Sequence, residues 1–489
     1  MTWILEHWLV LLLLILYTAV MVHHALVGKR QTRGMVDYYV GGRRLGGVAL
    51  GVSFFATYAS TNSFVGFSGQ AYSYGVAWMF IAPLVVLFSW IAWAWIAPRL
   101  RRFTAALDSV TIPDFIGFRF GSDAARVLAA LVVLFASFLY MTAVFKGIGN
   151  LLEIFLDLPY QAAILIVFFI VVIYTAVGGF ISVVRTDVVQ GVVMFFAAIL
   201  LFTGTVGAAG GLGSFFEVRT QPGGAALFTW DTAMPFLVLL GIMVPTTMKF
   251  IVEPRQLSRF YALRDQREIR KGMLVSTLLF FVVFALLVPI GIYAHRILPA
   301  GSVIDSDLVV PMLLSGGTVF HPVVGAFLLV AMVAAAMSSL DSVLLVMAST
   351  CHRDLVSLWR PSLSDQGAVR ATRLYVGLFA LITALIALNP PGGIVMLTAF
   401  SGSLYAACFL PSIVLGLYWR RGNGRAAAAS IIVGVAVLLL WKYLPFAAGI
   451  HQVFPAMLSS TLAYVALSIW GAPNNAEGVA RLFTPESEI

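Results

Sequence analysis

The chain has 489 residues, of which 61% are hydrophobic and 10% charged, with a mean hydropathy of +0.98. Apolar runs longer than about 18 residues recur from Trp3 to Trp470, which excludes a water-soluble globular domain and makes this a multi-span, all-α membrane protein. The net charge of +9 gathers in short connections, where it reads as a topological signal and calls for no nucleic acid.

The first apolar segment, Trp3 to Val27, is as long as a full span and carries neither a basic leader nor a small-residue cleavage site, so it reads as a retained helix. Spans follow near 46–72, 74–98, 124–154, 159–178, 185–208, 232–253, 272–298, 318–350, 370–389, 393–418, 426–444 and 450–470, thirteen with the first. The longest polar connections, 210–231, 254–271 and 351–373, are each about twenty residues and too short to bury cores of their own, so residues 1–489 form a single integral membrane domain. Cys351 and Cys408 have neither disulfide nor metal-ligand spacing, and His23 and His24 read as interfacial residues at the end of the first span.

The helix count is tested by the basic residues. With the N-terminus outside and the C-terminus inside, 25 of the 30 Lys and Arg residues fall on the inner side, from Lys29 and Arg30 to Arg360 and Arg481. Lys146 and Lys249 lie within spans.

Polar residues inside the spans mark the candidate site. Gly51 to Ser63 places small and hydroxyl residues at mid-membrane in the second span, and the seventh carries Gly241 and then Pro245-Thr246-Thr247. Irregular backbone at that depth must be buried in protein or line a cavity, and two interrupted spans five apart suggest an inverted repeat, spans 2–6 against 7–11. Helix packing explains the glycines but not the hydroxyls. The ninth span holds Ser338, Ser339, Asp341 and Ser342 in an otherwise apolar run, and an unpaired charge there costs at least ~3 kcal/mol.

These segments carry a resemblance. Asp37 to Gly46 leading into Ser53-Phe54-Phe55-Ala56-Thr57 resembles the first core helix of the sodium:solute symporter family. Tyr174-Thr175-Ala176-Val177-Gly178-Gly179 with Thr186-Asp187 and Gln190, Glu253-Pro254-Arg255-Gln256 with Arg259, and Ala335-Ala336-Met337-Ser338-Ser339 resemble three further motifs of that family, in the same order. The resemblance runs from about Asp37 to Arg421. It implies a LeuT-type core of ten helices in a 5+5 inverted repeat over 37–421, one extra helix in 1–36, two more in 422–470 and a cytoplasmic tail at 471–489.

The resemblance also implies a sodium site built from the carbonyls of Ala56, Ala59 and Ala335 and the hydroxyls of Ser338 and Ser339. Sodium is a hard cation suited to about five such oxygens. A serine pair in a membrane helix has another use, back-bonding to the carbonyl four residues earlier. For Asp187, Asp341 and Ser342 two readings stand: a second ion, as in some family members, or an intracellular ion-pair network in which Asp187 meets Arg259 or Arg353. Asp341 also suits proton coupling.

Family substrates lie between the broken helices, which implies a lining of Ser60, Thr61, Asn62, Ser63, Thr246, Thr247, Ser401, Ser403 and Tyr405. Two lysines depart from the pattern. Lys249 stands four residues before Glu253, at the spacing of a helical ion pair, with a substrate contact as its other reading. Lys146 has no local partner, and its candidates are Asp187, Asp341 or a substrate carboxylate. The expected function is a secondary active symporter of the cell membrane that couples inward Na+ movement to uptake of a small polar solute, favouring a monocarboxylate or amino acid. A proton-coupled transporter on the same fold and a solute sensor acting with a separate partner chain are the alternatives. An enzyme is disfavoured, because no cluster of His, Cys or carboxylates has catalytic or metal-binding spacing. The partners expected are solute, sodium and the lipid bilayer, with the oligomeric state left open.

Overall fold

The structure, a computed structural model, describes residues 2–230, 234–299, 301, 305–359, 364–444, 449–473, 479 and 483. Arg360, Arg481 and most of the expected tail lie outside the described residues. Long apolar stretches give helices because only a helix satisfies every backbone amide and carbonyl within its own segment.

In chain order these are α1 (Thr2–Gln31), α2 (Gly47–Tyr58), α3 (Phe67–Tyr74), α4 (Val76–Ala106), α5 (Asp123–Leu156), α6 (Tyr160–Val172) and α7 (Gly178–Ala209). They continue with α8 (Phe236–Val252), α9 (Pro254–Tyr261), α10 (Arg267–Ala294), α11 (Pro322–Trp359), α12 (Asp365–Ala387), α13 (Ile394–Tyr418), α14 (Gly424–Tyr443) and α15 (Val453–Trp470). Among the described residues eleven helical stretches are long and apolar enough to cross a membrane, α8 and α9 counting as one, and α2 and α6 are shorter apolar helices.

Burial sorts these helices into a centre and a rim. In α11 and α13, 83% of the most apolar stretch is buried, against 17% in α1. Polar side chains on any face of α11 therefore meet other helices rather than lipid, and Ser338, Ser339, Asp341 and Ser342 are all buried.

The expected break in the second span is present. α2 stops at Tyr58, Ala59 is extended (φ −67°, ψ 108°), and the chain re-enters helix through a π-helical turn at Asn62–Gly66 before α3. The break in the seventh span differs from expectation: α8 runs unbroken past Gly241, Pro245 and Thr247, and the interruption falls at Glu253 (φ −82°, ψ 126°). Proline disfavours a helical conformation at the residue before it; Val244 stays helical before Pro245, whereas Glu253, whose side chain pairs with Arg255, leaves the helix before Pro254, which opens α9.

The Gly178-Gly179 motif also acquires a physical role. Gly179 has φ +66° and ψ −173°, a conformation essentially confined to glycine, and a Cβ there would stand 2.8 Å from the Tyr38 ring. This one residue turns the chain between α6 and α7 and thereby aims Asp187 at the bundle centre.

Candidate functional site

The end of α2, the middle of α11, the start of α9 and the face of α7 bearing Asp187 converge. Because Ala59 leaves the helix, the amide of Ser60 turns to the Ser63 hydroxyl at 3.4 Å, and the Ala56 carbonyl loses the donor it would have had. Opposite it, Ser338 and Ser339 do not back-bond to α11. Ser339 Oγ donates to the Thr57 carbonyl at 3.1 Å and accepts from the Tyr140 hydroxyl at 3.3 Å. Ser338 Oγ donates to Asp187 Oδ1 at 2.6 Å.

Asp187 is the hub of a buried network. Its Oδ2 accepts from Ser53 Oγ at 2.5 Å, Arg259 Nη2 at 2.8 Å and Thr57 Oγ1 at 3.4 Å. Arg259 also donates to Ser53 Oγ (3.1 Å), Ser342 Oγ (2.8 Å) and the Arg255 carbonyl (3.0 Å), so one guanidinium joins α2, α7, α9 and α11. The geometry therefore has the ion-pair arrangement, with Arg259 as the base; Arg353 instead donates to Asp114 Oδ2 at 3.2 Å. Asp341 lies beside this network, fully buried. Its Oδ1 accepts from Ser342 at 3.3 Å and its Oδ2 has no protein partner.

Both lysines behave differently from expectation. Lys146 meets neither Asp187 nor Asp341; it pairs with Asp307 at 2.7 Å and Asp305 at 3.3 Å, and Asp307 in turn accepts from the Ile394 amide at the start of α13. The connection after α10 folds back over α5, a contact with no sequence proximity. Lys249 does not pair with Glu253. The helix ends at Glu253, whose side chain turns to Arg255 Nε at 2.7 Å, while Lys249 Nζ sits 4.5 Å over the Tyr140 ring.

The expected solute lining divides by what each group already does. Thr246, Thr247 and Ser403 bond to carbonyls of their own helices. Ser60 Oγ accepts the Asn62 amide, Ser63 the Ser60 amide, and Tyr405 pairs with Ser137 at 2.9 Å. Thr61 Oγ1, Asn62 Oδ1 and Ser401 Oγ are buried without partners. Such groups are costly unless something else satisfies them.

Sequence reasoning passed over several participants. Ser53 and Thr57 are four residues apart in the last two turns of α2, a spacing that puts both on the face that meets Asp187. Tyr140 receives Arg255 over its ring at 3.8 Å and bonds Ser339, yet nothing distinguishes it from any other tyrosine in an apolar span. A second network, Asp114–Arg126 (2.7 Å), Arg126–Asp354 (2.8 Å) and Thr111–Asp354 (2.7 Å), ties the short helix Ile112–Phe120 to α5 and the end of α11. Its residues lie in or near the basic connections but give no pairing signal.

Broken spans around a buried, oxygen-rich junction, in a chain of multiple apolar helices, are the architecture of a multi-pass membrane transporter. The sodium:solute symporter family profile matches residues 38–434. A sodium/pantothenate symporter of Haemophilus influenzae is 31% identical over 89% of this chain and 91% of its own. The osmoregulated proline transporter OpuE of Bacillus subtilis is 31% identical over 90% of each, and the high-affinity proline transporter PutP of the same organism is 30% identical over 90% of this chain and 93% of its own. Among solved structures, a Na+-coupled sialic acid symporter superposes with a TM-score of 0.80 at 21% identity, covering 95% of this chain and 98% of that one. The fold is thus of the LeuT type, and the chain belongs to the sodium:solute symporter family. It is a sodium-coupled symporter of small solutes, with Na+ as the coupling ion.

Proposed function

We propose that this symporter takes up a small polar organic solute, a monocarboxylate or amino acid in preference to a sugar, on the energy of inward sodium flow. The observation that carries the reading is the hydroxyl-to-carbonyl contact of Ser339 with Thr57 across the α2–α11 junction, beside the orphaned Ala56 carbonyl. The carbonyls of Ala56, Ala59 and Ala335 and the hydroxyls of Ser338 and Ser339 are the proposed sodium ligands. Neutral oxygens at an unwound turn suit a hard monovalent cation, and the ion replaces the contact that now joins the two helices.

Sodium bound there ties α2 to α11 and stabilises the arrangement in which the solute site is ordered. Thr61, Asn62 and Ser401 supply unpaired polar groups for the solute. Ser60, Ser63, Thr246, Thr247, Ser403 and Tyr405 shape its walls through bonds already made. The relatives named for pantothenate and proline, both carboxylates, support the preference for an organic acid. Asp341, with one unpartnered oxygen beside Asp187 and Ser342, is the place for a second ion.

The segregation of basic residues supports an N-terminus outside and a C-terminus inside, with thirteen crossings in one domain divided as 1–36, 37–421, 422–470 and 471–489. On this orientation Lys146–Asp307 closes the outer end of the pathway and the Arg126–Asp114–Asp354 network the inner end.

The test is uptake into proteoliposomes of labelled pantothenate, L-proline, lactate and glucose, with and without a sodium gradient. Sodium-dependent accumulation of one of the acids is expected. Uptake of glucose alone would overturn the solute preference, and uptake indifferent to sodium would overturn the assigned site.

A further inference from the structure

Lys249 is 1% exposed, and among the described residues no carboxylate lies within 4.0 Å of its ammonium. Its contact is the face of Tyr140, 4.5 Å away. Glu253 is committed to Arg255 at 2.7 Å, so a protonated Lys249 adds one positive charge that the Arg255–Glu253 pair does not compensate. A charge held so deep needs an opposite charge or a pathway that brings one.

The surroundings are built to hold that side chain. On α13 a Cβ at Gly402 would come within 2.4 Å of the Pro245 carbonyl and 3.0 Å of Lys249 Cε, so only glycine clears the stem of the lysine. Ser401, the neighbour of Gly402, has a buried hydroxyl without a partner. Along α5, Gly147 is seven residues from Tyr140, about 10 Å of helix, and a Cβ there would press on Thr61 Oγ1 at 2.6 Å. The unpartnered ammonium at one level and the unpartnered Thr61 hydroxyl about two turns away bracket the length of a small organic acid between α5, α13 and the break after α2.

Tyr140 links this end to the ion. Its hydroxyl donates to Ser339 Oγ at 3.3 Å while its ring faces Lys249. The proposed sodium ligands carry no formal charge, so sodium brings a second positive charge beside an ammonium that already lacks a counter-ion.

We propose that Lys249 anchors the carboxylate of the transported solute, and that the anion seats between the ammonium and the sodium held by Ser338 and Ser339. This rests on the sodium-driven reading given above. Each charge then favours the other: sodium without the anion meets repulsion from Lys249, and the anion without sodium finds one cation instead of two. By linkage the effect is reciprocal.

The experiment uses the full chain in proteoliposomes. Sodium-driven uptake of pantothenate, lactate and acetate is compared with that of pantothenyl alcohol, lactamide and acetamide, for the wild type, Lys249→Arg and Lys249→Gln. The wild type should prefer an acid over its uncharged counterpart by about 10⁴-fold in kcat/KM, the scale for a site built around one polar group of its ligand. Lys249→Gln should raise the KM for the acid and erase that preference, and Lys249→Arg should keep part of it. Binding of 22Na+ without solute should tighten in Lys249→Gln, an effect that a merely structural lysine does not produce.

An equal loss of acid and neutral uptake in Lys249→Gln, with unchanged sodium binding, overturns the assignment. A wild type that carries neutral compounds as well as acids also overturns it while leaving sodium coupling intact. Absence of any sodium-driven uptake in the wild type would instead remove the reading on which the proposal rests, before any variant is compared.

Discussion

Ser338 and Ser339 are adjacent on one helix, yet their hydroxyls serve different neighbours, Asp187 on α7 and the Thr57 carbonyl on α2. A serine that lends its oxygen to an ion loses that ligand on truncation to alanine, while the backbone carbonyls of Ala56, Ala59 and Ala335 remain. Ser338→Ala and Ser339→Ala are each expected to raise the sodium concentration for half-maximal uptake about tenfold, equivalent to ~1.4 kcal/mol. Sodium titrations of uptake check this, and unchanged half-saturation in both variants removes the site. Arg259 and Asp187 are a buried pair whose members cannot be lost singly. Arg259→Gln should destabilise the protein by about 3–5 kcal/mol, and Asp187→Asn with Arg259→Gln should recover part of that loss. Thermal unfolding of the single and double variants measures it; additive losses would mean that the pair is not the hub. The serine pair was legible as a motif, and Asp187 as a carboxylate needing company. That Arg259 rather than Arg353 supplies the company was not, because both arginines lie in the same excess of basic residues and only packing chooses between them.

At the scale of elements, the breaks matter more than the helices. Ala59 and Glu253 interrupt spans that hydropathy reads as continuous, and the second break sits at the residue preceding Pro254 rather than at Pro245. A single proline inside an apolar helix is tolerated within a packed bundle, and α13 packs closely here, with Gly402 against the Pro245 carbonyl. The connection before α11 behaves as a latch: Asp307 holds Lys146 of α5 and the first amide of α13 together. In a variant lacking Cys351 and Cys408, Lys146→Ala is expected to raise the labelling rate of a Thr61→Cys thiol by a membrane-impermeant reagent several-fold. Equal rates with and without Lys146 would show that the latch does not control access. This latch was illegible in sequence because more than 150 residues separate its partners, and no periodicity reports on a contact between a span and a distant loop.

For the whole molecule, sodium is a ligand of the folded protein, so binding must raise its stability by mass action. At a sodium concentration about 100 times the dissociation constant, the gain is about 2.7 kcal/mol. Purified protein should therefore melt at a higher temperature in sodium than in potassium at equal ionic strength, and the shift should vanish when Ser338→Ala and Ser339→Ala are combined. A sodium shift that survives in the double variant would place the ion elsewhere.

The sequence by itself determined the solvent of this protein, its helical class, the order of its spans and its family, because these follow from composition, run length and short motifs that are local in the chain. It also placed a break within Gly51–Ser63, where small and hydroxyl residues replace the bulky apolar ones that sustain a lipid-facing helix. Tertiary structure alone decided which helices are central. α1 and α11 have equal mean hydropathy, yet one is 17% and the other 83% buried over that stretch, since lipid and protein interior are almost equally apolar and hydropathy does not distinguish them. Charge pairing had the same limit. Lys146, Lys249 and Asp341 are each conspicuous in an apolar span, but which of them is satisfied within the protein depends on helices brought together from distant parts of the chain.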